Sequence, residues 1–320
     1  GELFVRQYSA IKQTVRTTAP QFSQPVAICK AMAKGHCLSF TAPTISEDEV
    51  QKERESLTES ERDEIQGDVW GTAAIVNESA SFQSQALHEF DRVLELQNET
   101  SLHAYREAMS MAPDLVRQET SPLKFLRASG FDVENAVGRM LKYWEHRVEL
   151  FGRDRAFLPL ESELPIPAAE DNGTTAMSPQ DWEFWNQKTI YILPQPDAHG
   201  RTIIFGDRSK WTGANRQSSL RCLFLTFHLA SMSSMVQKYG VVIVMDTQKV
   251  TTADYCRKIS RHIVRMCGES APIRLRAWHA CYADVKSQAM LLNSSILFML
   301  GRNLRLRVLQ HYGSPPPLAW

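Results

Sequence analysis

The chain has 320 residues, 43% of them hydrophobic and 22% charged, with 36 basic residues balanced by 36 acidic ones. That is a globular balance, long enough for a sizeable core, and it leaves no global field to draw the protein to nucleic acid. The six cysteines, Cys29, Cys37, Cys222, Cys256, Cys267 and Cys281, lack CxxC spacing and scaffold density, which fits a reducing compartment, and no run reaches the ~20 apolar residues of a membrane span.

The elements fall into zones along the chain. Residues 1–43 read as a poorly ordered basic tail, with Arg6, Lys12, Arg16, Lys30 and Lys34 against Glu2. The same bias resembles a transit peptide, so organelle targeting stays open beside a cytoplasmic location. Residues 44–78 form an acidic helical segment. Ser46 with Glu49 makes a capping box, and Thr58 or Ser60 caps a second short helix. This zone is expected to be solvated and to hold no site.

Residues 79–155 show a helical period. Phe82, Leu87, Phe90 and Leu94 recur at three-to-five spacing, and Leu102 follows after a break near Asn98. Ser121 and Pro122 start a further helix that Gly130 ends. Asp132 caps the next, whose inner face carries Ala136, Val137, Met140, Trp144 and Val148 before Gly152.

After a proline-rich link, residues 175–313 alternate strands with helices. Strands are expected at "TIYIL" (Thr189–Leu193), "TIIFG" (Thr202–Gly206), "VVIVMD" (Val241–Asp246), "IRLRAWHAC" and "RLRVLQHY". Helices are expected at Arg216–Tyr239, about Thr252–Cys267 and Val285–Leu300. That alternation predicts an α/β fold with a mostly parallel five-stranded sheet, helical crossovers and a preceding helical bundle. Residues 314–320 are a tail.

Catalytic signatures are missing. There is no GxGxxG after a strand, no GxxxxGK[ST] loop and no GxSxG elbow. His36–Cys37 lacks the arginine of a phosphatase loop. No histidine pair has metal spacing, so His262 and His279 read as lone core residues. The reading is therefore a non-enzyme without cofactor or metal.

What stands out is apolar volume. "AMLLNSSILFML" (Ala289–Leu300) has no charged face at all, and Arg302, Arg305 and Arg307 follow it at once. Met232, Met235, Met245, Met290 and Met299 gather in the same half. By residue type alone, a filled core and a ligand pocket are equally compatible with this.

Several segments together resemble the CRAL-TRIO lipid-binding domain family, from about Leu123 to Gly313. "LKFLRASGFDVENAVGRMLKYWEHR" is similar to its N-terminal helical signature through Phe125, Leu126, Arg127, Ala128, Phe131, Asp132, Val133 and Ala136. "HGRTIIFG" resembles the GRPV strand entry, with Thr202 where proline is usual, and "GVVIVMD" resembles the central strand ending in Asp. "APIRLRAWHACYA" keeps Pro272, Arg274 and Ala283, but has Tyr282 at the Asn position and Asp284 at the final Pro. "LRLRVLQHYGS" resembles the last strand.

The resemblance implies one hydrophobic lipid in an apolar pocket, whether phospholipid, phosphoinositide or isoprenoid-like, and transfer of that lipid between membranes. It makes Val285–Leu300 a gate helix. The pocket set is then Phe224, Phe227, Val241, Ile243, Met245, Trp278, Leu292, Ile296 and Met299. The membrane-gate set is Met290, Leu297, Phe298, Arg302, Arg305 and Arg307, the arginines facing anionic headgroups. A monomer touching membranes transiently is expected.

The positions that contact an inositol headgroup in fungal relatives fall near His262 and Ser295, which argues against phosphatidylinositol. Relatives also continue past the last strand, so the pocket floor is expected to be incomplete or the chain to run on. The competing reading is an adaptor with a packed domain, whose acidic segment Glu47–Glu64 engages a partner. A hydrolase using unrecognised residues ranks third.

Overall fold

The computed structural model describes residues 42–160, 173–211, 213–251, 256–283 and 288–313. Nearly all of the basic tail lies outside them. So do the expected helix starts at Thr252 and Val285, Asp284, and the tail 314–320.

The acidic segment folds as α1 (Glu47–Glu55) and α2 (Glu59–Trp70). Each opens with a reciprocal capping box, Ser46 with Glu49 and Thr58 with Glu61. The helical zone contains α3 (Ala80–Glu95), α4 (Glu99–Met111), α5 (Pro113–Glu119), α6 (Pro122–Ala128), α7 (Val133–Phe151) and the single turn α8 (Arg153–Ala156). The break near Asn98 has a local cause: its side chain accepts from the Ser101 N–H at 2.9 Å and starts α4.

After α6 the chain turns through Gly130 and Phe131, both at positive φ. A non-glycine residue is strained there. Phe131 is held by its N–H donating to the Leu126 carbonyl at 2.7 Å and by its ring lying 4.8 Å from that of Phe82. Asp132 then accepts from the Asn135 N–H and begins α7.

The second half comprises α9 (Pro179–Asn186), β1 (Ile190–Ile192), β2 (Thr202–Asp207), α10 (Arg216–Met232), α11 (Ser234–Tyr239) and β3 (Val241–Asp246). It continues with α12 (Arg257–Arg265), which runs on as a π turn to Ser270, then β4 (Leu275–Tyr282), α13 (Gln288–Met299), α14 (Arg302–Arg305) and β5 (Val308–Tyr312). The five strands lie in the order β1-β2-β3-β4-β5, with β1 antiparallel to β2 and the other pairs parallel.

This order explains where the helices go. Right-handed crossovers between strands that always step the same way bring every connecting helix to one face of the sheet. Ile204, Ile243, Met245, Trp278 and Ala280 accordingly share one core with α7, α10, α12 and α13. Ile203, Phe205, Val242, Val244, Ala277 and Cys281 point the other way and form a second apolar cluster. β3 carries apolar residues on both faces, hence its unbroken run. Its entry needs Gly240, at φ 79°, where a Cβ would lie 2.6 Å from the Arg274 carbonyl oxygen.

Two expectations need correction. The helix expected over Arg216–Tyr239 is two, divided at Ser233, whose ψ of 128° is extended. Serines crowd this point, and Ser231 Oγ donates back to the His228 carbonyl at 2.7 Å, competing with the helical ladder. The last strand begins at Val308, because Arg302–Arg305 form the short α14 and Leu306 and Arg307 turn out of it.

Candidate ligand cavity and its arginine flank

Between the helix-bearing face of the sheet and α13 lies an apolar cavity of about 30 Å³. Its walls include Met245 of β3, Trp278 and Ala280 of β4, Ile263 of α12, and Leu292, Asn293 and Ile296 of α13. Of the pocket residues expected from sequence, Met245, Trp278, Leu292 and Ile296 meet here. Val241 and Ile243 are buried in the same core, away from this lining. Phe224 faces α7, its ring 4.9 Å from that of Tyr143 and 5.7 Å from that of Phe151. Phe227 is core, and Met299 is half-buried against it.

Pattern reasoning missed the polar part of the wall. Trp211 Nε1, Trp278 Nε1 and Asn293 Nδ2 are buried donors with no hydrogen-bond partner among the described residues, and all three residues line the cavity. Arg208, also buried, completes that end, its Nη1 donating to the Trp211 carbonyl at 3.3 Å. An unpaired buried donor costs ~1–3 kcal/mol. A guest with acceptor oxygens would recover that cost. The volume holds about one water, whereas ligand pockets span roughly 300–1,000 Å³. Admission of a lipid therefore requires the walls to part.

α13 has twelve residues, none of them charged. Leu292, Ile296 and Leu297 are buried inward, while Leu291 and Phe298 stand 49% and 48% exposed, seven residues apart on the outer side. Of the apolar residues expected at a gate, Phe298 is on the surface, Met290 is half-buried and Leu297 is covered.

Of the arginines beyond α13, expected to face headgroups, Arg307 is buried and Arg305 half-buried, while Arg302 is exposed but paired. Arg307 is 4% exposed and donates to Asp68 Oδ2 at 2.7 and 3.0 Å, with Glu64 at 3.1 Å. Arg305 pairs with Glu53 at 3.3 Å and Arg302 with Glu61 at 3.6 Å. The acidic segment, expected to be solvated and to hold no site, is largely exposed but lies as a strap across the arginine flank. It also meets α13: the Ile45 N–H donates to the Ser294 carbonyl at 3.4 Å, and Ser294 Oγ donates to the Ile45 carbonyl.

Asp68 is the hub of this strap, with Arg274 and Arg276 converging on it beside Arg307. Burial alone would push its carboxyl up, but the three guanidiniums outweigh that and hold it below the usual carboxylate range.

The two histidines read as lone are both paired. His262 Nδ1 lies 2.9 Å from His146 Nε2, and His279 Nδ1 lies 3.0 Å from His311 Nε2. Burial, with His311 and Arg201 adding to it, pushes His279 down to about 3, and burial pushes His311 down to about 4.

No protein-family model matches the chain, and no curated protein is similar to it at a significant level. Among solved structures the chain is similar to one titled "Crystal structure of Sfh5", with 10% identity over 73% of this chain and 82% of that one. The TM-score is 0.43, too low for the likeness to bear on function.

Proposed function

We propose that the protein binds a single lipid of the kind carried by CRAL-TRIO domains, in the cavity under α13, and exchanges it at a membrane. The observation that carries this reading is the trio of orphaned donors on Trp211, Trp278 and Asn293 at the wall of an otherwise apolar cavity. Apolar walls suit an acyl or isoprenoid chain, whose burial contributes about 0.8 kcal/mol per methylene. The donors and Arg208 suit an oxygen-bearing polar end. α13 supplies the door: it covers the cavity with Leu292 and Ile296 and offers Leu291 and Phe298 to a bilayer. Transfer then proceeds by displacement of this helix while its outer face is in lipid.

Two tryptophans in the wall provide the test. Vesicles containing lipids with a doxyl quencher on the acyl chain should quench the emission of Trp278 and Trp211, and Trp278→Phe should remove part of that signal. Emission indifferent to quencher lipids in both forms would overturn the reading.

The second reading is a packed adaptor, and one observation favours it: the cavity measures only about 30 Å³. An adaptor would show no lipid uptake in the same experiment.

A further inference from the structure

The side of α7 turned toward α12 carries Arg139, Lys142, His146 and Glu149, which recur at helical spacing along one stripe. The first two grip the end of α12. Arg139 donates to the carbonyls of Ala271 and Gly268 at 2.9 and 3.0 Å, and Lys142 Nζ lies 3.0 Å from Glu269. The other two meet His262. His146 Nε2 lies 2.9 Å from His262 Nδ1, and His262 Nε2 lies 3.8 Å from Glu149 Oε1. One donor atom from each of the three residues falls within 4.8 Å of the others.

We propose that His146, His262 and Glu149 form a site for a divalent ion of the zinc type, held by two imidazole nitrogens and one carboxylate oxygen, with a fourth position open to water. This donor set suits zinc and its transition-metal neighbours, since calcium and magnesium take oxygen ligands. Zinc–nitrogen bonds of about 2.05 Å at the tetrahedral angle separate two nitrogens by about 3.3 Å, so the histidines need part by only a few tenths of an ångström.

The surroundings fit as well. His146 is fully buried, and its other nitrogen, Nδ1, lies 3.1 Å from Ser270 Oγ, which fixes the ring as outer partners of metal ligands do. Burial, with Arg265 and His262 adding to it, pushes His146 down to about 3, so the ring is neutral at pH 7, as a ligand must be. Glu149 is partly exposed and gives the ion a way in. Arg265 holds its Oε2, which leaves Oε1 for the histidines.

Charge limits the affinity. Arg265, Lys258 and Arg261 stand around His262 and oppose the attraction of Glu149 for a cation, so binding in the micromolar range is expected rather than the tight binding of a closed structural site. A bound ion would tie α12 to α7. Because Ile263, next to His262, lines the cavity, that tie would stiffen one cavity wall.

The site is tested on the full chain, stripped with chelator and titrated separately with Zn²⁺ and Co²⁺. The proposal expects one equivalent taken up, four-coordinate nitrogen–oxygen bands with Co²⁺, and a Tm raised by Zn²⁺. Glu149→Gln should weaken uptake by about tenfold, and His262→Ala should abolish it. Should the buried His262→Ala change prevent folding, Glu149→Gln, at a part-exposed residue, carries the test alone. No saturable uptake by the wild type would overturn the proposal, leaving two neutral rings that share one hydrogen bond. Uptake unchanged by the variants would overturn it too, placing the ion on other donors such as Cys29, His36 or Cys37. None of these outcomes depends on lipid binding.

Discussion

Arg307 reaches across 239 residues of sequence to Asp68, and its Nε and Nη2 both donate to one carboxylate oxygen, at 3.0 and 2.7 Å. Both residues are almost wholly buried. The strand-end arginine and the acidic strap are therefore one structure. Asp68→Asn would leave Arg276 buried without a counter-charge and Arg307 with the exposed Glu64 alone, a change that costs about 3–5 kcal/mol. Chemical denaturation of the wild type and the variant measures this. Equal midpoints would show that the strap contributes no stability.

The strap also occupies Arg305 and Arg302 with carboxylates. Neutralising Glu53, Glu61 and Glu64 together to Gln should release Arg305 and Arg302, while Asp68 still holds Arg307. The pairs lost are partly exposed, so little stability goes with them. Each freed arginine should add about 1 kcal/mol of attraction to an anionic bilayer. Co-sedimentation with phosphatidylserine vesicles should rise in the triple variant and fall back as salt screens the charge. Binding equal to the wild type at low salt would contradict the strap's masking role.

Acid should weaken the fold earlier than carboxylates alone would. His279 and His311 are held neutral by burial, with folded values of about 3 and about 4. Their unfolded values are near 6.5, so the unfolded chain binds more protons in between and stability falls as pH drops through that window. Each group contributes a slope of about 1.4 kcal/mol per pH unit there. Asp68, lowered by its arginines, adds its own loss only below the ordinary carboxylate range. Thermal melts should therefore decline from pH 6.5 toward 4.5, and His311→Asn should flatten the decline. A Tm constant across that window would refute it.

Phe298 tests the outer face of α13. It is 48% exposed, so Phe298→Asp should leave the melting temperature within a few degrees of wild type. Lipid transfer between vesicles should fall by an order of magnitude or more, because a carboxylate resists entry into the bilayer interior. Undiminished transfer would remove this residue from the gate.

Part of this was legible in the sequence. A helix with no charged face calls for an apolar partner, and α13 has one on its inner side, where Leu292, Ile296 and Leu297 are buried. Period two in β3 put Met245 on one face with Val241 and Ile243, and all three lie in the helix-bearing core. Other features left no local trace. α10 is buried nearly all round, so its pattern could not say that Phe224 turns to Tyr143 rather than to the cavity. The partners of Arg302, Arg305 and Arg307 lie in α1 and α2, far back in the chain, and no spacing rule joins them. The same distance hid His146 from His262, although His146 and Glu149 share one side of α7 by their three-residue spacing.

The central claim is that an oily guest with a polar end occupies the space beneath α13. Native mass spectrometry of the full chain, purified without detergent, measures that occupancy directly. The account predicts a second species heavier by one lipid, whose extra mass disappears on solvent extraction and returns on incubation with membrane lipids. A single peak at the bare polypeptide mass, unchanged after that incubation, would contradict it.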